Sequence, residues 1–434
     1  MLKKSFVIPS IVFLLALAFR LWYLNELVIN DYIRGDAHSY VQYSVNMVDH
    51  GVFSKSRSVP PIPDSYWAPG YPSFLFASSY LAKVFNVETN DAVLLLQALL
   101  GAFIVLLTWL LGRRFLGAAG AVTASVLTLL SPHLVTLGGY FLTEVLFCFL
   151  LALSLLLFFA FTKKQNVLLG LGASLGFVAT YFVNPVILFA PFILLLAMVF
   201  KYPGSSKRSV LAFVFVYLMC IGAWSARGLI SVPESSPSSS DRVFNNLVIG
   251  AHSDYHRIWR ANPRNPSNPA TVDKKAFGGS YALFFSALGE RFVEEPIHYL
   301  KWYFWSKPKL LWDWDILVGR GDIYVYPVAS SIYFTSHLAI LTVSLMKGLH
   351  PLLFLCALGG AALACSQIFR SNSAFLPAIL AIVVVYVSAV YVVLQSEPRY
   401  SVPLRPEMYL LAVYFINKAW AYLSQRVRIA RAAS

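Results

Sequence analysis

Charge is what this sequence has least of. Only 12% of its residues are Asp, Glu, Lys or Arg, where soluble globular proteins carry about 25%. That deficit, with 58% hydrophobic residues and a mean hydropathy of +0.66, excludes a soluble globular protein and indicates an integral membrane one. Acidic residues are the scarcer charge, 20 against 34 Lys and Arg, for a net charge of +14. In a soluble protein that excess would raise nucleic acid as a partner. Here the basic residues sit beside apolar runs, as cytoplasmic loops facing anionic lipid do, so membrane lipids are expected as partners and nucleic acid is not. Cysteine is almost missing too. Cys148, Cys220, Cys356 and Cys365 all fall inside apolar runs, which excludes a disulfide framework or a zinc cluster and leaves them as small packing residues. Ionisable residues at mid-span are nearly absent, and with them the usual pathway of a pump or ion channel.

What is present in abundance is the long apolar run. A spanning helix needs about 20 such residues, and residues 6–24 supply the first, preceded by Lys3 and Lys4, which place the N-terminus in the cytoplasm. Ala16-Leu17-Ala18 also resembles a signal-peptide cleavage site, and either reading puts residues 25–90 outside. Residues 71–86 contain Lys83 and several serines and read as an interfacial helix. With that segment not spanning, Arg113 and Arg114 fall inside, as the positive-inside rule expects. Further spans follow at 92–111, 118–138, 141–161, 167–183, 185–200 and 209–229, with Lys163, Lys164, Lys201, Lys207 and Arg208 all inside.

Residues 231–330 are rich in Pro, Ser and Asn and form an external loop region that opens on the linker-like VPESSPSSSD. Residues 299–314 are dense in Trp and Tyr, the composition of headgroup-level segments. Residues 331–347 read as another surface-lying helix before spans at 350–369, 374–395 and 403–422. The expected architecture is an all-α polytopic membrane protein with about ten spans, in the range 9–13. It divides into an N-terminal module 1–230, an external region 231–347 and a C-terminal module 348–434 with a basic cytoplasmic tail.

Under this topology the polar residues converge on one face. Asp36, His38, Asp49 and His50 lie in the first outer loop, and Arg20, Glu144, Arg227 and Arg399 at or near outer span ends. That is the layout of a site at the membrane surface. Outward carboxylates beside arginines, above apolar helices, suit glycosyl transfer from a lipid-phosphate donor. A carboxylate takes the acceptor's proton, cations stabilise the departing phosphate, and an apolar groove holds the polyprenyl tail.

Four motifs then match a known pattern: Gly35-Asp36 followed by Tyr40 and His50-Gly51; WAPGYPSFLF at 67–76; FLTEVLF at 141–147; and EPRYSVPLRP at 397–406. In this order the chain resembles bacterial GT-C membrane glycosyltransferases related to protein O-mannosyltransferases, lipid A aminoarabinose transferase and rhizobial galacturonosyltransferases. It departs from them at Ala68, where proline is common, at AWSARG (223–228), and at Glu144, where several relatives have Asp. The resemblance implies a GT-C fold and a glycosyltransferase of the inner membrane. It implies transfer of one sugar, with inversion, from a polyprenyl-phosphate donor to an envelope glycan, lipid or protein on the periplasmic or extracellular side, with no cofactor.

The resemblance also assigns residues. Asp36 is the expected general base, although Asp fits a helix N-cap equally well. Glu144 is expected to orient the acceptor or to couple to Asp36, against a plain helix-dipole role. Arg399 is expected on the donor phosphate with Tyr400 shaping the pocket, and Arg227 and Arg405 are weaker candidates, since arginines at span ends commonly snorkel. His38, Tyr40 and Tyr71 are candidate sugar or acceptor contacts. No metal site is expected, because the Asp36 and His38 spacing is not that of a helical ligand pair. Asp49 and His50 read as residues that end the loop helix before Gly51. A lipid-linked sugar flippase and an oligosaccharide ligase are the alternatives.

Overall fold

The computed structural model describes residues 7–263, 265–317 and 321–433; Lys3 and Lys4 lie outside them. Among the described residues there are helices and two isolated bridges, Val28 with Ser330 and Gly321 with Tyr324, and no strand. The principal helices are α1 (Val7–Glu26), α2 (Asp36–His50), α3 (Gly70–Phe85), α4 (Thr89–Gly112), α5 (Gly117–Leu130), α6 (Glu144–Lys164), α7 (Val167–Val183), α8 (Ala190–Lys201), α9 (Lys207–Ser231), α10 (Ser239–Gly250), α11 (His337–Gln367), α12 (Phe375–Val393) and α13 (Arg405–Ala433). Local chemistry sets their ends. Asn166 caps α7 by accepting from Leu169 N–H at 2.8 Å, Ser206 caps α9, and Gly51 closes α2 in the left-handed conformation at φ 65°. Asp49 and His50 are thus the exposed last residues of α2, as the Gly51 stop predicts.

Each expected span falls on helix. Among the described residues six helices are long and apolar enough to cross a membrane, α1, α4, α6, α9, α11 and Asn372–Val393, or seven if the pair Gly117–Leu130 with Pro132–Gly139, bent by 57°, is one span; α13, on which the expected span 403–422 falls, is not among them. α7 and Pro185–Lys201 are shorter apolar helices. α3, with 16 residues, is not among the candidate spans, in keeping with an interfacial helix. The core runs between α6, α7, α12 and α13, and α6 packs on both α4 and α7.

Three expectations change. Residues 118–138 are not one straight span: Ser131-Pro132 breaks them, because proline cannot donate into the preceding turn. Residues 331–347 are not a separate surface helix. After a short helix at Ile332–Thr335, α11 continues for 31 residues straight through Pro351, so the boundary placed at 347/348 falls inside a helix. At 1.5 Å per residue α11 is about 46 Å long, exceeding a hydrocarbon core of about 30 Å, and Lys347 there pairs with Asp315 and Asp322 of the external region at 3.0 and 3.3 Å. The tryptophans of 299–314 also turn largely inward. Trp302, Trp312 and Trp314 are buried and donate to Gly250 O, Ser388 Oγ and Asp322 Oδ1, while Phe304 and Trp305 stay exposed.

Candidate functional site

The segment between α1 and α3 is held together by its own polar contacts. Asn46 donates to the carbonyls of Ser54 and Ser56 at 2.8 and 2.9 Å, and Asp64 accepts from Lys55 N–H, Tyr66 N–H and the Tyr43 hydroxyl. Arg227, near the end of α9, donates to the carbonyls of Asp64 and Phe53 at 2.7 and 3.0 Å and stacks near Phe53 and Trp224. It clasps this loop from outside. Gly35 begins α2 at φ 53°, and a Cβ there would lie 2.7 Å from the Tyr326 hydroxyl, so only glycine lets the turn meet the external region. Gly35 occupies the N-cap and Asp36 the first helical position, its side chain released from capping.

Asp36 projects into a cavity of about 450 Å³. It is lined by polar groups, Asp36 and Tyr40 of α2, Glu144 at the start of α6, Arg242 and Asn246 of α10, and Arg399 and Tyr400 before α13, and by apolar ones, Phe147, Val186, Leu188, Phe189 and Val390. Phe189 is 59% exposed.

Arg399 organises the polar groups. Its Nε lies 2.9 Å from Glu144 Oε1 and 3.9 Å from Glu397 Oε2, and its Nη2 donates to Asp36 Oδ2 at 3.1 Å. Burial alone would lower the value of this guanidinium, but Glu144 and Asp36 outweigh burial and raise it well above the ordinary arginine value. The second oxygen of Glu144 is buried and has no hydrogen-bond partner. Of the three carboxylates around Arg399, Asp36 is the accessible one: its side chain is 36% exposed against 7% for Glu144 and 2% for Glu397. The aromatic wall is fixed in turn. Tyr400 stacks on Tyr391 at 4.8 Å, and Asn184 donates to the Tyr391 hydroxyl at 2.9 Å. Burial, then proximity to Asp36, raises the Tyr40 phenol well above its ordinary value, so it serves as a neutral hydroxyl.

Arg242 was not a candidate from the sequence. It stacks over Trp67 at 4.6 Å, forms no ion pair among the described residues, and leaves a buried Nε without a hydrogen-bond partner. It directly follows the linker-like stretch 232–241, whose Ser238 and Asp241 form a capping box that starts α10. The Ser-x-x-Asp spacing was the available signal.

α10 is held to the cavity by a close approach. A Cβ at Gly250 would overlap the Leu394 carbonyl. Lys307, fully buried, joins the two helix ends by donating to Gly250 O at 3.0 Å and Leu394 O at 2.6 Å. Burial lowers its value to about 7.

The remaining candidates are elsewhere. Arg405 is buried against Trp314, His350 and the Asp313 carbonyl, and does not line the cavity. Arg227 does not line it either. His38 is exposed on the outer side of α2. Tyr71 is buried beneath Tyr40, at 5.1 Å, and donates to Gln97, which in turn donates to the carbonyls of Gly138 and Tyr140. It supports the wall without facing the cavity. Among the described residues no group of three or more His, Cys, Asp or Glu side chains could hold a metal ion, and all four cysteines are free.

Residues 69–225 match the family model for dolichyl-phosphate-mannose-protein mannosyltransferases. No curated protein sequence matches the chain. Among solved structures it is similar to the archaeal oligosaccharyltransferase AglB from Archaeoglobus fulgidus, in complex with an inhibitory peptide and a dolichol-phosphate. The identity is 13% and the TM-score 0.53, over 99% of this chain and 52% of that one. The A. fulgidus oligosaccharyltransferase in the apo form gives 14%, 0.52, 98% and 52%. ArnT from Cupriavidus metallidurans, bound to undecaprenyl phosphate, overlays at 13% identity and a TM-score of 0.41, over 100% of this chain and 64% of that one. The chain thus spans about half the length of the oligosaccharyltransferases it matches. The all-helical, polytopic membrane fold expected from the motifs is borne out, and it is similar to that of the oligosaccharyltransferases.

Proposed function

We propose that the protein is a glycosyltransferase that takes a single sugar from a polyprenyl-phosphate donor to an envelope glycan, lipid or protein, working at the outer face of the inner membrane. The observation that carries this reading is one cavity lined both by an accessible carboxylate and a guanidinium that forms no ion pair among the described residues, and by apolar side chains that include the exposed Phe189. That combination suits a sugar phosphate on a lipid tail. In the reaction the acceptor hydroxyl attacks the anomeric carbon from the side opposite the phosphate. The carbon–oxygen bond to phosphate breaks, configuration inverts, and Asp36 takes the hydroxyl proton.

The arginines divide the work. Arg399 is committed to Asp36 and Glu144, and phosphate binding there would have to displace its carboxylates. Arg242, with no ion pair to give up, is the better phosphate ligand, and Asn246 lies one turn along the same helix. Arg399 instead holds Asp36 and Glu144 together and aims Asp36 into the cavity. The likeness to an oligosaccharyltransferase fold favours a second reading, transfer of a preassembled oligosaccharide.

The test is transfer by detergent-purified protein offered a panel of polyprenyl-phosphate sugars, chosen by comparing envelope glycans of cells with and without the protein. Asp36→Asn is expected to lower turnover by about 10²- to 10⁴-fold, the usual worth of a positioned base. Full activity in that variant refutes the mechanism. Absence of product in detergent, with translocation restored in a bilayer, would make the protein a flippase.

A further inference from the structure

A second cavity, also of about 450 Å³, lies at the other end of the same helices. α6 begins at Glu144 in the first cavity and ends at Thr162 and Lys163 in the second, about 30 Å away for its 21 residues. α12 likewise brings Tyr386 and Val390 to one cavity and Leu376 to the other. The second cavity is lined by two cations, Arg114 and Lys163, with Asn372 beside them, and by the apolar rings of Phe115 and Phe159 with Leu376. Lys163 is held over Phe159 at 4.9 Å.

The neighbourhood has no negative charge to answer these cations. No Asp or Glu occurs in residues 92–143, 145–233, 323–396 or 408–434. Those stretches supply every connection at this end of the bundle, and neither Arg114 nor Lys163 forms an ion pair among the described residues. Positive charge at a cytoplasmic surface is general. A concave site is more specific: an arginine and a lysine lining one cavity together with the rings of Phe115 and Phe159 match the phosphate and first acyl carbons of a lipid rather than a free anion. A guanidinium takes a phosphate through two parallel hydrogen bonds, and basic pockets between spanning helices are suited to anionic headgroups.

We infer that the cavity between Arg114, Lys163 and Asn372 binds the phosphate-bearing headgroup of an anionic phospholipid from the leaflet opposite the Asp36 cavity. The inference is independent of the glycosyltransferase reading, and its test needs no activity.

Full-length protein purified in mixed micelles of phosphatidylcholine and phosphatidylglycerol is examined by native mass spectrometry for retained lipid. The expected result is selective retention of phosphatidylglycerol, lowered by about a hundredfold or more in Arg114→Gln/Lys163→Gln, the loss of two charge-assisted contacts to phosphate. Lys207→Gln/Arg208→Gln removes the same charge outside the cavity, leaves those contacts in place, and is expected to change retention by about thirtyfold at most, the worth of two cations near a membrane surface. Ser373→Trp keeps every charge but fills the cavity from an exposed position, and is expected to lose the lipid even if the double variant does not fold. Equal loss in both charge variants, or full retention in Ser373→Trp, overturns the site in favour of a diffuse field. Displacement of the lipid by inorganic phosphate alone overturns the lipid assignment in favour of a free-anion site.

Discussion

Removing Arg399 without removing its carboxylates is the sharpest perturbation the structure offers. The guanidinium is 12% exposed, 2.9 Å from Glu144 and 3.1 Å from Asp36, with Glu397 at 3.9 Å. Arg399→Met keeps most of the side-chain volume and takes the guanidinium away from one deeply buried carboxylate, Glu144, and one half-open one, Asp36. Losing one partner of a buried pair costs about 3–5 kcal/mol, two to four powers of ten in the folded fraction. Glu144→Gln alone is milder, because Arg399 keeps Asp36 and Glu397. In the double variant Arg399→Met/Glu144→Gln one stranded charge is gone, so part of the loss should return. The assay is fluorescence-detected size exclusion after heating detergent-solubilised protein, read as a double-mutant cycle. Arg399→Met is expected to lower the apparent Tm by about 5 °C or more, with the double variant more stable than the single. A loss under about 1 °C, or additive losses in the double variant, would refute the view that Arg399 is held chiefly by its carboxylates.

Other outcomes follow from the same contacts. Arg242→Gln is expected to raise KM for the lipid-phosphate donor by about tenfold or more while leaving thermal stability unchanged, since it removes a charged contact to phosphate; an unaltered KM moves the phosphate elsewhere. Gly250→Ala forces α10 away from Leu394 and is expected to cost about 1–3 kcal/mol, seen as lost monodisperse protein. Gly289→Ala, with no atom within 4 Å of its added carbon, is the matched substitution expected to be neutral or mildly stabilising. Lys307 has an ordinary value of 10.5 lowered by burial to about 7. Its folded form therefore binds fewer protons than the unfolded chain between those values, and stability should rise with pH from about 7 to about 10. Lys307→Met should abolish that slope in Tm against pH, and identical curves for the two proteins would refute the assignment.

The sequence reading succeeded where one physical rule acted alone. Lipid must bury every helix's apolar surface, so the spans stood out as runs, and the carboxylates and Arg399 could only sit at span ends. The motifs then brought Asp36, Tyr40, Glu144, Arg399 and Tyr400 together, and the cavity holds all five. It failed where two rules competed. Pro351 normally ends a helix, yet α11 runs through it because the apolar residues on both sides pack along the bundle against α13. Arg227 and Arg405 are at the expected span ends, but nothing local distinguishes an arginine that reaches a cavity from one that clasps a loop or sits under Trp314. Arg242 and Gly250 belong to a region whose Pro, Ser and Asn content reads as an external loop, and Lys307 to the Trp- and Tyr-rich segment read as lying at the headgroups. Their roles depend on close approaches between residues far apart in the chain, which composition does not carry.

The contact between Arg399 and Asp36 joins residues 363 positions apart, and this imposes an order on biosynthesis. At about 5–20 residues per second, Asp36 leaves the ribosome roughly 20–70 s before Arg399 is made. Through that interval the carboxylates of α2 and α6 lack the guanidinium of Arg399 between them, and the cavity lacks the wall that α12 and the segment before α13 supply. A partly inserted chain thus cannot assemble the polar centre, and the final helices act as the step that completes it. Two separately expressed fragments divided in the external region would each be inert and should regain the centre only on pairing.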